Sequence, residues 1–229
     1  MDNDKDMMQR PPVLAKERFR QREKELRELP MDRLFEVIHD TNLWGATESV
    51  SGLGSEVAAT AKLRAELPEL LRGTGAEVLL DIPCGDCTWL SQTTLPVKRY
   101  IGADIVESIV QGNRDKYGGE FLHLDLCSSE LPAADVVLCR DCLVHLSFAH
   151  IAAAIRNLRR SRSTWLLTTT FTECDENVDI VTGDWRMLNF ELPPFGWRAP
   201  VRLLLEGCME AGGGYADKAL GLWRISDLP

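Results

Sequence analysis

The feature that most constrains this chain is a change of rhythm after Gly73-Thr-Gly75. From there short apolar runs ("EVLLDI", "RYIGADI", "EFLHLDL", "ADVVLC", "STWLLTTTF") alternate with helical stretches such as "VESIVQGNRDKY" and "SFAHIAAAIRNLRRS", the latter opened by Ser147 as its cap. Runs that are apolar throughout suit strands covered on both faces, and strand-helix alternation suits parallel neighbours. The expected fold class is therefore α/β. Two late runs, "VRLLLEG" and "ALGLWRI", complete the sheet across the turn-rich "CMEAGGGYADK". Ahead of them, "TECDENVDIVTGDWRMLNFELPPFGWRAP" has no period and is long for a loop in a compact domain; its aromatics favour a functional role.

The N-terminal part reads differently. Residues 1–30 are a polar head followed by "LAKERFRQREKELREL", whose charges at helical spacing predict an exposed helix with few core contacts. This arm is a solvated tail in the plainest reading, against a contact in a homodimer or a cover over a site. Residues 31–229 form the domain proper, with a helical cap over 31–75: "MDRLFEVIHD" carries apolar Leu34, Val37 and Ile38, and "SEVAATAKLRAELPELL" is capped by Ser55. Between them "TNLWGATESVSGLGS" is rich in Gly and Ser yet holds Trp44, so it has something to pack on and is a candidate lid.

Composition narrows the partners. A length of 229 residues at 45% hydrophobic suits one core, and a formal charge of -9 gives no footprint for a phosphate backbone, so nucleic acid is not expected. No secretory signal and no membrane-spanning run stands out, which predicts a cytoplasmic protein with no membrane partner. Seven cysteines, an odd number, read as buried free thiols in a reducing compartment.

In an open parallel sheet ligands bind beyond the carboxyl ends of the strands, so the residues that end each apolar run are the informative ones. They are acidic and small: Asp81, Pro83, Cys84, Gly85 and Asp86 after the first; Asp104 after the second; Asp125 after the third; Cys139, Arg140 and Asp141 after the fourth. Gly85 permits close backbone approach, and Asp104, about twenty residues further on, stands where a carboxylate takes both hydroxyls of a ribose. Pro83 fills the first glycine place of a dinucleotide loop, so a pyrophosphate is poorly served. Adenosine joined to a positively charged amino acid suits the acidic row better, and S-adenosylmethionine is such a ligand.

The segments "LLDIPCGDCTWL", "YIGADIVESIV", "FLHLDL" and "ADVVLCRDCLVHLS" resemble, in order, the successive motifs of class I S-adenosylmethionine-dependent methyltransferases. The likeness runs over roughly residues 35 to 226, closest to a bacterial small-molecule group with "NLWG", "SG-x-GS", "PCGD", "GDWR" and "DK-x-LGLW". It implies a Rossmann-like, seven-stranded, mostly parallel sheet flanked by helices, with the last hairpin antiparallel. It also implies that S-adenosylmethionine is held by Asp81, Pro83, Cys84 and Gly85 at its methionine end, by Asp104 with Ile105 at the ribose, and by Asp125 with Leu126 at the adenine. Arg140, with Trp44 and Ser51 of the cap loop, joins that set. Pro83 and Cys87 depart from the family pattern by replacing glycines. The implied activity is methyl transfer to an oxygen or nitrogen of a small-molecule acceptor. The alternatives are a peptide or protein side chain as acceptor, a non-catalytic cofactor-binding partner, or a zinc-bearing interaction module.

The last alternative comes from two Cys-x-x-Cys pairs, Cys84/Cys87 and Cys139/Cys142. Because the first and fourth strands are neighbours in this topology, four thiolates could meet, but a closed zinc site would occupy the cofactor's own turns. The thiols therefore read as small packing residues, with no metal. Alignment of acceptor and methyl supplies most of the rate; if a base is needed, His145 and Asp141 follow the fourth strand and are the candidates. Trp44 and Trp185 would wall the acceptor pocket, and Arg186 would pair with an acidic acceptor. Each of these also has a plain reading, His145 as a packing or capping residue and each Trp as a core anchor.

Overall fold

The computed structural model of the chain describes Arg10 and residues 13–229; residues 1–9 of the expected arm, with Pro11 and Pro12, lie outside the described residues. Seven strands, β1 (Val78–Asp81), β2 (Arg99–Asp104), β3 (Glu120–His123), β4 (Val136–Cys139), β5 (Trp165–Phe171), β6 (Arg202–Leu205) and β7 (Lys218–Arg224), form one sheet in the order β3-β2-β1-β4-β5-β7-β6. The first five run parallel, and β7 lies antiparallel to both β5 and β6. Every apolar run of the sequence became a strand; the central ones, such as Val136–Cys139, are buried on both faces, whereas β3 and β6 at the two edges are partly exposed. The strand order reverses between β1 and β4, which opens a crevice beyond their carboxyl ends.

The helices are α1 (Leu14–Leu26), α2 (Met31–Asp40), α3 (Ala61–Thr74), α4 (Glu107–Tyr117), α5 (Phe148–Arg160) and the single turn α6 (Glu210–Gly213). Ser147 caps α5 as expected, its Oγ accepting from the His150 amide at 3.3 Å. Ser55 does not cap α3, which begins only at Ala61. The intervening residues are tied elsewhere: the Glu56 carboxylate accepts from the Thr47 amide at 3.0 Å, and Glu48 accepts from the Val57 amide at 3.1 Å. These two crossed bonds hold the segment open against the preceding loop.

Two further expectations change. Helix α1 is not free of core contacts: Phe19 and Leu26 are fully buried with Leu34, Ile38 and Leu43 in a small cluster of their own. Two apolar side chains among many charges escape notice in a periodicity count, yet one turn-matched pair is enough to dock a helix. The segment from 172 to 200 has no helix or strand, as its lack of period implies. Several of its aromatics serve the core rather than a site, since Phe190 stacks on Trp197 with ring centroids 4.1 Å apart and both pack against Trp223.

Candidate active site

The ends of β1, β2 and β3 and the start of the chain after β4 line one cavity. Asp81, Pro83, Cys84 and Gly85 come from the first strand end, Asp104 and Ile105 from the second, Asp125 and Leu126 from the third, Arg140, Asp141 and His145 from the fourth. Trp44 and Ser51 of the cap loop close it. The structure thus brings together all the residues that the sequence nominated for the cofactor and for catalysis, because strand ends in a parallel sheet are necessarily side by side.

The acids differ in what they still have to give. Both Asp104 oxygens accept a backbone N–H, from Gly85 and from Val106, each at 3.0 Å. Each keeps a further lone pair for a ligand hydroxyl. Burial raises the Asp104 carboxyl above its ordinary value even against those two amides. Asp81 is more exposed to this effect: burial pushes it up to about 7, although the Tyr100 hydroxyl donates to it at 2.9 Å. A cation placed beside Asp81 would recover the charge that burial disfavours. At Asp125 one oxygen takes the Cys127 amide at 2.7 Å and the other the Ser128 hydroxyl at 2.5 Å, so this acid also closes its own turn.

The turn after β1 has no room for a side chain at position 85. Gly85 has φ +52, and a Cβ there would lie 2.2 Å from Ser51 Oγ. Ser51 is held so close because Asp86, a residue the sequence listed at this turn without assigning it a role, anchors the cap loop. Its carboxylate accepts from Ser49 Oγ at 3.0 Å and from the Val50 amide at 3.1 Å, while its own amide donates to Ser51 Oγ at 3.1 Å. A bare backbone beneath a pinned loop is a cradle for a ligand that must touch the main chain.

Arg140 and Asp141 line the cavity and are at the same time members of a buried charge cluster. The Arg140 guanidinium holds Glu206 at 2.6 Å, the Gly54 carbonyl at 2.8 Å and Asp141 at 3.2 Å. Asp141 also accepts from Lys218 Nζ at 2.7 Å and from Thr169 Oγ1 at 3.2 Å. Burial pushes the Asp141 carboxyl up, but Arg140 and Lys218 outweigh it and hold it well below the usual carboxylate range. A carboxylate so deeply committed to two cations is no proton acceptor, which corrects its nomination as a base; it is an electrostatic anchor. Arg140, nominated for the cofactor, lines the cavity with its charge already met by two carboxylates.

His145 has the opposite character. It is buried, stacks on Trp44 with centroids 4.7 Å apart, and burial lowers its imidazole to about 4. Its Nδ1 lies 2.9 Å from the Asp184 carbonyl, which can only accept, so Nδ1 carries the proton and Nε2 the lone pair. Among the described residues no hydrogen bond engages Nε2. Trp44 Nε1 is a buried donor that also finds no partner among the described residues. These two unspent groups stand where a second cavity of about 290 Å³ meets the first, since Trp44, Ser51, Asp141 and His145 line both.

The second cavity takes Trp185 into its wall, but not Arg186. The Arg186 guanidinium is buried beneath Phe148 and donates to the carbonyls of Leu143 at 2.8 Å and Leu146 at 2.6 Å. It fastens the segment after β5 to the turn after β4, and it is not placed to meet an acceptor. Met31, Phe35 and His39, spaced by four along α2, line the first cavity while Leu34 and Ile38 face the arm cluster. That second stripe was legible in the sequence and was overlooked, as was Lys218 within "DK-x-LGLW". The cysteine pairs do not converge: Cys84 and Cys87 pack with Val110 and Phe121, whereas Cys139 lies in the main core with Cys142 at its margin. Among the described residues no group of three or more His, Cys, Asp or Glu side chains could hold a metal ion.

Comparison with known proteins identifies the fold. No protein-family model matches the sequence. No curated protein matches it by sequence. Among solved structures, 74% of the chain aligns with the whole of the methyltransferase domain of bacterial CtHen1-CN, at a TM-score of 0.53 and 14% identity. For the CtHen1-C form the alignment covers 71% of this chain and 96% of that one, at a TM-score of 0.52 and 14% identity. The chain has the Rossmann-like methyltransferase fold. Among the described residues no helix is long and apolar enough to cross a membrane.

Proposed function

We propose that this chain, built on the methyltransferase fold, transfers a methyl group from S-adenosylmethionine to an oxygen or nitrogen of a small-molecule acceptor. The single observation that supports the reading best is the row of acids Asp81, Asp104 and Asp125, one from each of three successive strands, around a cradle at Gly85. Its set of acceptors suits a ligand with an ammonium, two vicinal hydroxyls and an exocyclic amine, all donors, and no phosphate. Asp104 would hold the ribose hydroxyls, Asp81 the ammonium of the methionine end, and Asp125 with Leu126 the adenine. When bound, S-adenosylmethionine supplies a methyl group activated by the adjoining sulfonium.

The remaining work falls to the chain. The Trp44–His145 stack stands between the two cavities, beside the cap loop that Asp86 pins. His145, neutral with its lone pair on Nε2, can accept a hydrogen bond from an acceptor hydroxyl or amine and so orient the attacking atom. A cavity of about 290 Å³ suits a small acceptor. A small molecule in a non-membrane, cytoplasmic setting remains the partner this reading favours.

Titration calorimetry with S-adenosylmethionine and S-adenosylhomocysteine, alongside metal analysis, tests it. Both nucleosides are expected to bind, and Asp104→Ala to weaken them by about 1.5–3 kcal/mol, since two hydroxyls lose a shared charged acceptor. Absence of binding by either nucleoside overturns the reading; unchanged affinity in Asp104→Ala overturns the placement of the ribose.

A further inference from the structure

The second cavity is lined by a carboxylate that has no partner among the described residues. Around it the charges pair off: Arg140 and Lys218 are met by Asp141 and Glu206, Arg10 by Asp217, and His145 is neutral. Glu210 is left over. It lines the cavity, yet among the described residues no hydrogen bond or ion pair engages its carboxylate. Lys218, the nearest cation in the lining, is already spent on Asp141 at 2.7 Å and Glu206 at 3.6 Å. A carboxylate withdrawn from water without a donor is costly, and burial accordingly raises Glu210 above its ordinary value against the pull of Lys218.

The placement is built rather than accidental. A Cβ at Gly54 would lie 2.9 Å from Glu210 Oε1 and 3.2 Å from both Asp141 Oδ2 and Lys218 Nζ, so these three charged tips converge over a bare α-carbon. Facing them, Phe171, Trp185 and Tyr215 form an edge-to-face set with centroids 5.4 to 6.1 Å apart, and Trp44 adds a fourth ring. An aromatic wall favours a cation over an anion wherever it presents a ring face. One surplus negative charge and four rings in a single enclosure select by charge as well as by shape.

We propose that the second cavity takes an acceptor carrying a protonated amine, with the ammonium held between the Glu210 carboxylate and the rings of Phe171 and Trp185, since Arg10 already stands over the Tyr215 ring. This rests on reading the cavity as the acceptor side of the methyl-transfer site, and it names the substrate class. An acidic acceptor is disfavoured, because Lys218, the one lining cation among the described residues, already faces two carboxylates.

The test is calorimetry on the full chain at neutral pH, with and without S-adenosylhomocysteine, using benzylamine, benzyl alcohol and benzoate as probes of one shape and three charges. Benzylamine is expected to bind at least about tenfold more tightly than benzyl alcohol, with benzoate weakest. Glu210→Gln is expected to erase that preference while the variant still binds S-adenosylhomocysteine, which serves as the check on folding. Equal or tighter binding of the alcohol or the benzoate, no binding by any probe, or an amine preference that survives Glu210→Gln overturns the proposal. Failure of S-adenosylhomocysteine to bind while the amine preference holds overturns the methyl-transfer reading alone.

Discussion

Gly85→Ala puts the geometry of the cradle to a quantitative test. Gly85 adopts φ +52, where a residue with a Cβ is strained by about 1–2 kcal/mol. The added carbon would lie 2.2 Å from Ser51 Oγ and 2.9 Å from Ser51 Cβ, so Ser51 must leave. In leaving it gives up the hydrogen bond from the Asp86 amide at 3.1 Å, which contributes about 0.5–1.5 kcal/mol. The whole substitution is therefore expected to cost about 2–3 kcal/mol, a fall in Tm of about 4–12 °C for a chain of this size. Only the steric part depends on Ser51. In a Ser51→Gly background the same change should cost just the backbone strain, leaving a coupling of about 1 kcal/mol between the two sites. Urea unfolding of the four proteins measures that cycle, and calorimetry with S-adenosylhomocysteine should show weaker binding in both Gly85→Ala proteins. A cost below about 0.5 kcal/mol, or one equal in the two backgrounds, would refute the close contact between cap loop and first turn.

Two buried groups are expected to tilt stability in opposite directions across the same pH range. Asp81, raised to about 7, is more basic folded than unfolded, so its contribution is present at low pH and is lost as pH rises from about 4 to 7. His145, lowered to about 4, favours folding when neutral, so its contribution is present above about 6.5 and is lost as pH falls toward 4. In Asp81→Asn the opposing slope of Asp81 is removed, with stability climbing by about 2–3 kcal/mol more than in the parent between those limits. Urea midpoints measured against pH decide this, and parallel profiles for parent and variant would be the contrary result. Lys218→Met leaves Asp141 and Glu206 to share Arg140, and should cost about 3–5 kcal/mol, with Lys218→Arg milder. A loss under about 1 kcal/mol in thermal or urea unfolding would show the cluster to be better solvated than its burial implies.

The sequence by itself determined the sheet and the row of acids. Short apolar runs alternating with helical stretches suit strands of a covered sheet, and a residue that follows such a strand stands at its carboxyl end. Asp81, Asp104 and Asp125 are therefore placed by the sequence alone, and the cap at Ser147 is equally local. What the tertiary structure alone decided is which charges were already spoken for. Arg140, Asp141 and Arg186 look alike in a sequence, as polar residues near motif ends. Their partners lie far away along the chain, Glu206 and Lys218 for the first two and the carbonyls of Leu143 and Leu146 for the third. Burial of Phe19 and Leu26, and the lack of a partner for Glu210 among the described residues, are of the same kind. The physical reason is that backbone direction follows from neighbouring residues, whereas desolvation and charge pairing depend on whatever the folded chain brings within a few ångströms.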